Sequence, residues 1–309
     1  MRVIILGSAA GGGVPQWNCA CPNCADARHD NRDRTQSGVA VSADGERWVL
    51  LNASPDLRIQ LAAHHQLWPR GMGRVGGARR GSGIAAVILT DGEIDHTLGL
   101  LLLRESAGTL PVYAPAGVAA LLDDAWPLFR VLRAYAGVEP RVLDEARPMP
   151  LTDQAGVPLG ICCSAAPMAR RPPRYARGAQ AATFDVGLRL EDERTGATLA
   201  YVPAAGAIDA TVRQVAGGAD LLLFDGTFWS DDELRGVVGG DAPTARAMGH
   251  LPVGAPAGSL EQLPQLGAKR TVLVHINNTN PLLCRSSAER AQVEAAGITV
   301  GEDAMEFEL

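Results

Sequence analysis

Four side chains that can bind a metal ion lie within six consecutive positions: Asp91, Glu93, Asp95 and His96. An apolar run at residues 85–89 precedes them, and another at residues 98–103 follows. This pattern predicts a buried strand, a turn that carries the ligands, and an apolar helix. Such a turn lets several side chains converge at the edge of a sheet, and the N-terminus of the helix favours ionised carboxylates.

Two further residues with metal-binding side chains end apolar runs in the second half. Asp225 follows residues 221–224, and His275 follows residues 271–274. If both runs are strands, these side chains lie at the carboxyl ends, where ligands gather in open α/β sheets. The alternative, in which the earlier carboxylates only cap a helix, does not account for the other ligands beside them. We therefore expect one metal site drawn from six residues: Asp91, Glu93, Asp95, His96, Asp225 and His275.

The donor types indicate which metal such a site binds. A histidine-rich site suits zinc and hydrolysis by a zinc-bound hydroxide. Two histidines and a carboxylate with open coordination positions are typical of non-haem iron(II) enzymes that activate oxygen. Because the six candidates comprise four carboxylates and two imidazoles, we expect Fe²⁺, with Mn²⁺ or Zn²⁺ as the alternatives, and molecular oxygen as a co-substrate.

A second candidate metal site is a cysteine cluster, Cys19, Cys21 and Cys24. Three thiolates this close can surround one zinc ion, which needs a fourth ligand to complete a closed, structural tetrahedron. The remaining histidines are the candidate fourth donors: His29, His64, His65 and His250.

The composition excludes several classes of protein. The chain has 309 residues, of which 47% are hydrophobic and 20% charged, so it can bury a substantial core. Its net charge of −6 argues against nucleic acid or an anionic membrane surface as the main partner. Its apolar runs are all shorter than the roughly 20 residues needed to span a bilayer. We expect a cytoplasmic protein without membrane insertion.

The pattern of apolar segments predicts the fold class. Short strand-like runs alternate with helical patterns in both halves, which predicts an α/β (α+β) sandwich with helices outside two packed sheets. Since no change of composition marks a linker, we expect a single domain over residues 1–309, with a cysteine-rich loop at residues 17–30. Residues 167–181 are either a solvated loop or a cap whose arginines hold substrate carboxylates.

Several segments together resemble pyrroloquinoline quinone (PQQ) biosynthesis protein B: residues 6–24, 34–37, 52–56, 89–96, 224–229, 248–250 and 275–281. The resemblance implies the αββα sandwich of the metallo-β-lactamase fold, with two packed mixed sheets flanked by helices. Cyclic-phosphate phosphodiesterases of that superfamily hold a structural zinc ion through a similar cysteine cluster and a later histidine. This implies four structural zinc ligands here: Cys19, Cys21, Cys24 and His250.

The chain departs from the hydrolytic members of that superfamily at several ligand positions. Asp91 and Glu93 stand where the two leading histidines of the signature motif would be. Residues 181–184 lack a further ligand histidine, and residues 203–205 lack a bridging aspartate. The resemblance therefore does not imply a complete dinuclear zinc site.

The resemblance also implies a reaction. In this family, the pathway converts a cross-linked glutamate–tyrosine pair into a tricyclic quinone. The implied role is an iron-dependent oxidase or hydroxylase that adds oxygen to the tyrosine ring of the cross-linked Glu–Tyr-derived intermediate before ring closure. The alternatives are a zinc hydrolase of the same pathway, or a soluble carrier in transport of PQQ or its precursor to the periplasm.

The implied substrate carries carboxylates and a phenol, and other PQQ-pathway proteins are the candidate protein partners. We expect six residues to contact this substrate: Ser54, Asp56, Asn278, Asn280, Arg170 and Arg174.

Overall fold

The computed structural model describes residues 1–69, 81–106, 108–168, 172–180, 183–254 and 256–309. In these residues, fourteen strands form two mixed sheets of seven strands each. The first sheet has the order β14-β1-β2-β3-β4-β5-β6, and the second has the order β13-β12-β11-β10-β9-β8-β7. The first sheet contains β1 (Arg2–Gly7), β2 (Gly38–Ser42), β3 (Trp48–Leu51), β4 (Ile84–Ile88), β5 (Leu110–Ala114), β6 (Val138–Val142) and β14 (Glu306–Glu308).

Each sheet has antiparallel strands at one side and parallel strands at the other. In the first sheet, β14, β1, β2 and β3 pair antiparallel, whereas β3 to β6 are parallel. In the second sheet, β10 to β13 are parallel, whereas β7 to β10 are antiparallel. Its strands are β7 (Met149–Thr152), β8 (Pro158–Pro167), β9 (Val186–Asp192), β10 (Thr198–Val202), β11 (Leu221–Asp225), β12 (Thr271–Val274) and β13 (Ile298–Val300).

Short helices cover the outer faces of both sheets. The α-helices of the described residues are α1 (Pro22–Asp30), α2 (Leu57–Ala63), α3 (Ile94–Thr97), α4 (Ala116–Asp123), α5 (Leu128–Leu132), α6 (Ala210–Ala216), α7 (Glu233–Val238), α8 (Ser259–Gln262) and α9 (Ala288–Ala295). None of the described helices is long and apolar enough to cross a membrane.

Successive side chains of a strand belong alternately to the core between the sheets and to the core beneath the outer helices. In β1, Val3 and Ile5 belong to the core between the two sheets, whereas Ile4 and Leu6 pack with the outer helices of the first sheet. Because successive strand side chains point to opposite faces, a strand buried on both faces is apolar throughout. The predicted sandwich of two mixed sheets flanked by helices is confirmed. The extent of the single domain stays a prediction.

The segment after the metal-binding turn differs from the predicted apolar helix. Helix α3 has four residues and continues as a 3-10 helix over Leu98–Glu105. This segment packs tightly on the chain that leaves β3, where Gly99 N donates to Ala53 O at 2.9 Å. A Cβ atom on Gly99 would lie 2.1 Å from Ser54 O and 2.8 Å from Ala53 O. Only glycine fits, so this contact sets the position of α3 against the first sheet.

We predict that Gly99→Ala lowers the free energy of unfolding by about 2 kcal/mol or more, because main-chain atoms cannot move aside as a flexible side chain would. The matched control is Gly236→Ala in α7, where a Cβ atom would meet nothing within 4 Å. Alanine favours that helix, so its urea midpoint should stay the same or rise. Equal midpoints for the two variants in urea denaturation would contradict this role of Gly99.

Candidate metal centre

The metal-binding turn lies where the two sheets meet at one edge. Strand β4 ends at Ile88, and the next residues join it to both sheets. Thr90 N donates to Asn52 Oδ1 of the first sheet at 2.9 Å, and Thr90 O accepts from Val186 N of the second sheet at 2.9 Å. The turn is therefore held from both sides, and its side chains have defined directions.

His275 reaches the same edge from the end of β12. Its backbone has φ +57°, a left-handed conformation that non-glycine residues rarely adopt. The neighbouring residue holds this conformation, since Ile276 N donates to Ser8 O and Ile276 O accepts from Ala10 N, both at 2.9 Å. Backbone strain of this kind persists where surrounding structure over-determines it and is common at functional sites.

The glycine-rich segment at residues 7–13 lies beside the site. A Cβ atom on Gly11 would lie 2.9 Å from Asp95 Oδ2. The missing side chain at Gly11 therefore leaves space directly next to a metal-binding oxygen.

Asp95, His96 and His275 form the central group, with ligand atoms all within 4.8 Å of one another. Asp95 Oδ2 lies 3.5 Å from His275 Nε2 and 3.9 Å from His96 Nε2. The two imidazole rings meet edge to face, with centroids 5.2 Å apart. This is a two-histidine, one-carboxylate donor set, and both histidines are buried.

The charge state of Asp95 suits a metal ligand. Burial alone would raise the pKa of this carboxyl group, but the nearby His96 and His275 more than offset it and leave the pKa well below its usual range. Asp95 therefore supplies an anionic oxygen at neutral pH.

The structure places Asp91 behind His96 rather than among the ligands. Its two carboxylate oxygens lie 2.9 and 2.8 Å from His96 Nδ1. The same carboxylate accepts from Glu93 N at 2.9 Å and from Thr90 Oγ1 at 3.0 Å. With Nδ1–H donated to Asp91, the basic nitrogen of His96 is Nε2, which faces Asp95. The expectation that Asp91 ligates the metal directly is corrected to an orienting role.

Glu93 also lies outside the group of ligands, contrary to expectation. Among the described residues, its side chain joins neither of the two histidine-containing groups of potential ligands. Its main chain matters instead, because Glu93 O accepts from Thr97 Oγ1 at 2.9 Å and so closes the first turn of α3.

Asp225 and Thr227 orient the second histidine in the same way. Asp225 Oδ1 accepts from Thr227 Oγ1 at 2.6 Å, and Thr227 Oγ1 lies 2.8 Å from His275 Nδ1. Since the threonine proton is donated to Asp225, the hydroxyl oxygen accepts from His275 Nδ1–H. Nε2 is therefore also the basic nitrogen of His275. Sequence reasoning missed Thr227, although its position two residues after a strand-ending aspartate was a usable signal.

The prediction that His250 completes the cysteine site is wrong. His250 Nδ1 lies 2.8 Å from Asp225 Oδ2, and its ring stacks on His275 with centroids 5.5 Å apart. Asp225 also accepts from Ala205 N at 2.9 Å. Asp225, His250 and His275 thus form a second group of potential ligands that shares His275 with the first. The loop after Arg246–Met248 carries His250 to this edge of the sheet, which spacing alone does not reveal.

The charge of Asp225 follows the same rule as that of Asp95. Burial raises the pKa of its carboxyl group. The neighbouring His250 and, to a smaller extent, His275 and Thr227 lower this pKa by more, so that it lies below the ordinary value. The buried aspartate is ionised, and its Oδ2 can accept a hydrogen bond from His250 Nδ1–H.

The three cysteines form their own group at a distinct place, with sulfur atoms within 4.8 Å of one another. Burial raises the pKa of the Cys21 thiol to about 11, which is unfavourable for a thiolate unless a cation is bound. The side chain beside all three sulfur atoms is that of Asn278. Asn278 was expected to bind substrate, and the structure places it in the cysteine site instead.

Three other residues that were expected to bind substrate make hydrogen bonds within the protein. Ser54 Oγ donates to Gln60 Oε1 at 3.2 Å, and Asp56 Oδ2 accepts from Gln36 N at 2.9 Å. Asn280 is fully buried, accepts from Leu282 N and donates to main-chain oxygens after β11. These side chains hold loops together, and the expectation that they bind substrate is corrected accordingly.

Of the two predicted arginines, Arg170 lies outside the described residues, and Arg174 is exposed in the 3-10 helix Arg174–Ala176. The next residue ties this segment to the metal-binding turn, since Tyr175 Oη donates to Gly92 O at 2.6 Å. Tyr175 also lies against Trp126, with ring centroids 6.4 Å apart. Within the predicted cap, residues 172–180 therefore lie against the turn that carries Asp91.

Comparison with known proteins agrees with this architecture. The beta-lactamase superfamily domain matches residues 47–276. Coenzyme PQQ synthesis protein B of Cupriavidus necator is 43% identical over 311 residues, covering 99% of this chain and 98% of that protein. The same-named protein of Methylococcus capsulatus is 43% identical over 319 residues, with both chains fully covered. The crystal structure of Zn²⁺-bound PqqB from Methylobacterium extorquens is 40% identical, covers both chains completely and has a TM-score of 0.87.

The sandwich, with its metal-binding turns at one edge, is that of the metallo-β-lactamase superfamily. Within this superfamily the chain belongs to the coenzyme PQQ synthesis protein B family. The predicted fold and the predicted family are both confirmed.

We predict that Asp91→Asn weakens metal binding at the central group by about 10- to 100-fold. A neutral amide on Nδ1 raises the basicity of the metal-binding Nε2 atom of His96 less than a carboxylate does. The substitution keeps the shape of the side chain, and an amide can still pair with Thr90. Glu93→Gln is the matched control and should leave the affinity within about twofold. Anaerobic competition with a metal-binding dye measures both values. A greater loss in Glu93→Gln than in Asp91→Asn would contradict the assigned roles.

Proposed function

We propose that the chain acts in PQQ biosynthesis as an iron- and oxygen-dependent oxidase or hydroxylase. Its substrate is the cross-linked Glu–Tyr-derived amino acid, whose tyrosine ring gains oxygen before ring closure. For each hydroxylation, one atom of O₂ replaces a ring hydrogen as a hydroxyl group, and an external two-electron reductant reduces the other atom to water. The single observation that carries this proposal is the donor set of Asp95, His96 and His275, with both Nε2 atoms directed to one carboxylate oxygen. Family membership supports the pathway.

The residues present fit an iron(II) ion. Two imidazoles and one carboxylate occupy three positions and leave others open for oxygen and substrate. Bound there, iron would supply the one-electron chemistry that activates molecular oxygen. The Zn²⁺ in the crystal structure of the Methylobacterium extorquens relative is compatible with this site, since zinc outcompetes iron(II) at most nitrogen and oxygen sites.

The departures from hydrolytic members support oxidation over hydrolysis. Where a leading histidine would add a ligand, Asp91 instead contacts His96 Nδ1. In hydrolytic members a bridging aspartate would follow β10. Here Ala205 follows β10, and its N–H donates to Asp225 at the end of the neighbouring strand β11. Asp91 therefore orients His96, and among the described residues neither Asp91 nor Glu93 joins a group of potential metal ligands.

His250 is the group we assign to proton transfer. Its Nδ1 is hydrogen-bonded to the ionised Asp225, which stabilises the imidazolium when Nε2 takes up a proton. Hydroxylation of a phenol requires the ring to lose a proton. The stacking of His250 on His275 places this acid–base group beside the metal ligands.

The segment at residues 172–180 is the part of the chain that we assign to substrate capture. Arg174 is exposed next to Tyr175, whose hydroxyl group holds the segment on Gly92. A guanidinium group here suits the carboxylates of the substrate. The cytoplasmic location and protein partners from the pathway stay predictions, as does the carrier role.

One observation favours a second candidate, a zinc hydrolase of the same pathway: the relative of known structure was crystallised with Zn²⁺. The two functions differ in metal and in oxygen use. The test removes metal from the central group with a chelator that leaves zinc at the cysteines, and then loads the protein anaerobically with Fe²⁺ or with Zn²⁺. The Glu–Tyr-derived amino acid and a two-electron reductant are added, and oxygen is then admitted.

The iron-loaded protein should consume oxygen and give a product heavier by one or more oxygen atoms, whereas the zinc-loaded protein should do neither. The mass of the product from ¹⁸O₂ distinguishes oxygen insertion from hydration. Cleavage of the substrate by zinc-loaded protein without oxygen uptake would overturn the proposal in favour of the hydrolase.

We predict that His250→Gln retains metal at the central group but loses turnover by about 100-fold or more, because glutamine can pair with Asp225 and cannot carry a proton. His275→Ala should instead lose the central metal and keep the metal of the cysteine site. Metal analysis and oxygen uptake measure both effects. If His250→Gln lost the central metal as His275→Ala does, His250 would be a ligand rather than a proton carrier.

A further inference from the structure

We propose that Asn278 supplies the fourth ligand of the cysteine site, through its side-chain oxygen Oδ1, and completes a zinc site of three thiolates and one amide. The resemblance implied a histidine in this position, but among the described residues no histidine or carboxylate joins the three cysteines. The inference does not depend on the proposed reaction, because the site lies apart from the central group.

The amide group of Asn278 lies where the fourth ligand of a tetrahedral site with the three sulfur atoms would lie. Its terminal nitrogen Nδ2 lies 3.1 Å from Cys19 Sγ, 3.4 Å from Cys24 Sγ and 3.6 Å from Cys21 Sγ. In a tetrahedral zinc site with Zn–S near 2.3 Å and Zn–O near 2.1 Å, the oxygen lies roughly 3.6 Å from each sulfur. One amide atom therefore occupies the position over the sulfur triangle that a ligand would take.

The chemistry of the amide then selects the atom that faces the ion. The two ends of an asparagine side chain exchange by a rotation of about 180° with little change of shape. Three sulfur acceptors attract the NH₂ group, whereas a cation among three thiolates attracts the carbonyl oxygen. The amide oxygen is a hard ligand that proteins use for cations, and it leaves the charge of the three thiolates unchanged.

Buried side chains and main-chain donors surround the three sulfur atoms. Asn278 and Cys24 are buried, and main-chain N–H groups donate to two of the sulfur atoms: Gln16 N to Cys24 Sγ at 3.3 Å, and Cys21 N to Cys19 Sγ at 3.5 Å. Donors of this kind stabilise thiolates and orient them.

The site joins two distant parts of the chain. Asn23 Nδ2 in α1 donates to the main-chain oxygens of Asn278 at 3.0 Å and of Asn280 at 2.9 Å. Asn278 lies three residues after His275, so zinc held by Asn278 ties the cysteine loop to the segment that leaves the central group. The ion thereby fixes a loop whose strained first residue is a metal ligand.

The first test is zinc-edge X-ray absorption of the His275→Ala variant, in which both histidine-containing groups are incomplete and the cysteine site holds the remaining zinc. We expect three sulfur scatterers and one oxygen or nitrogen scatterer. Four sulfur scatterers would overturn the proposal, as would a nitrogen shell with the multiple scattering that is characteristic of imidazole.

The second test compares zinc release to a chromogenic chelator from the same background. Asn278→Ala should release zinc at least tenfold faster than the parent protein, whereas Asn278→His should retain zinc at least as well, since it restores the histidine ligand of related sites. Asn18→Ala is the matched control, because Asn18 is exposed in the same loop and its side chain pairs with Gln16. Equal release from Asn278→Ala and Asn18→Ala would contradict a ligand role for Asn278.

Discussion

The hydrogen bond between His96 Nδ1 and the buried carboxylate of Asp91 is the interaction on which the metal centre depends. It decides which ring nitrogen carries the proton and therefore which one can donate to a metal. Thr227 does the same for His275, with Asp225 behind it. Two histidines with defined tautomers then face the same oxygen of Asp95. If these inner hydrogen bonds were lost, the histidines would remain in place without a fixed direction.

The fold supplies these partners because parallel strands end together. Strands β4, β11 and β12 deliver Asp91, Asp225 and His275 to one edge, and the apolar core between the sheets fixes their register. The polar residues at this edge are buried, and Tyr175 of the segment at residues 172–180 donates a hydrogen bond to Gly92 O beside them. Burial raises the cost of an unpaired charge, so each carboxylate must find a hydrogen-bonding or metal partner. The left-handed backbone of His275 is held by the hydrogen bonds that Ile276 makes with Ser8 and Ala10.

The alternation of apolar strands and helical patterns predicted the fold class, and the family resemblance specified the metallo-β-lactamase sandwich. The sequence was also sufficient for the neighbourhood of Asp95, His96, Asp225 and His275, because strand ends converge. Spacing could not distinguish Asp91 from Asp95: both carboxylates can reach the site, and only side-chain geometry shows which one faces Nδ1. His250 and Asn278 were misplaced for a related reason. Motif spacing assigns ligands by residue type, whereas loops carried the histidine to one site and the amide to the other.

The most direct measurement is anomalous diffraction at the iron edge from crystals of protein loaded anaerobically with Fe²⁺. We expect one iron peak bonded to Asp95 Oδ2, His96 Nε2 and His275 Nε2, with Asp91 still hydrogen-bonded to His96 Nδ1 and no iron at the three cysteines. An iron peak bonded to Asp225 and His250 instead would contradict it. Those residues would then be ligands, and the oxidative chemistry assigned to the Asp95 group would have no structural support.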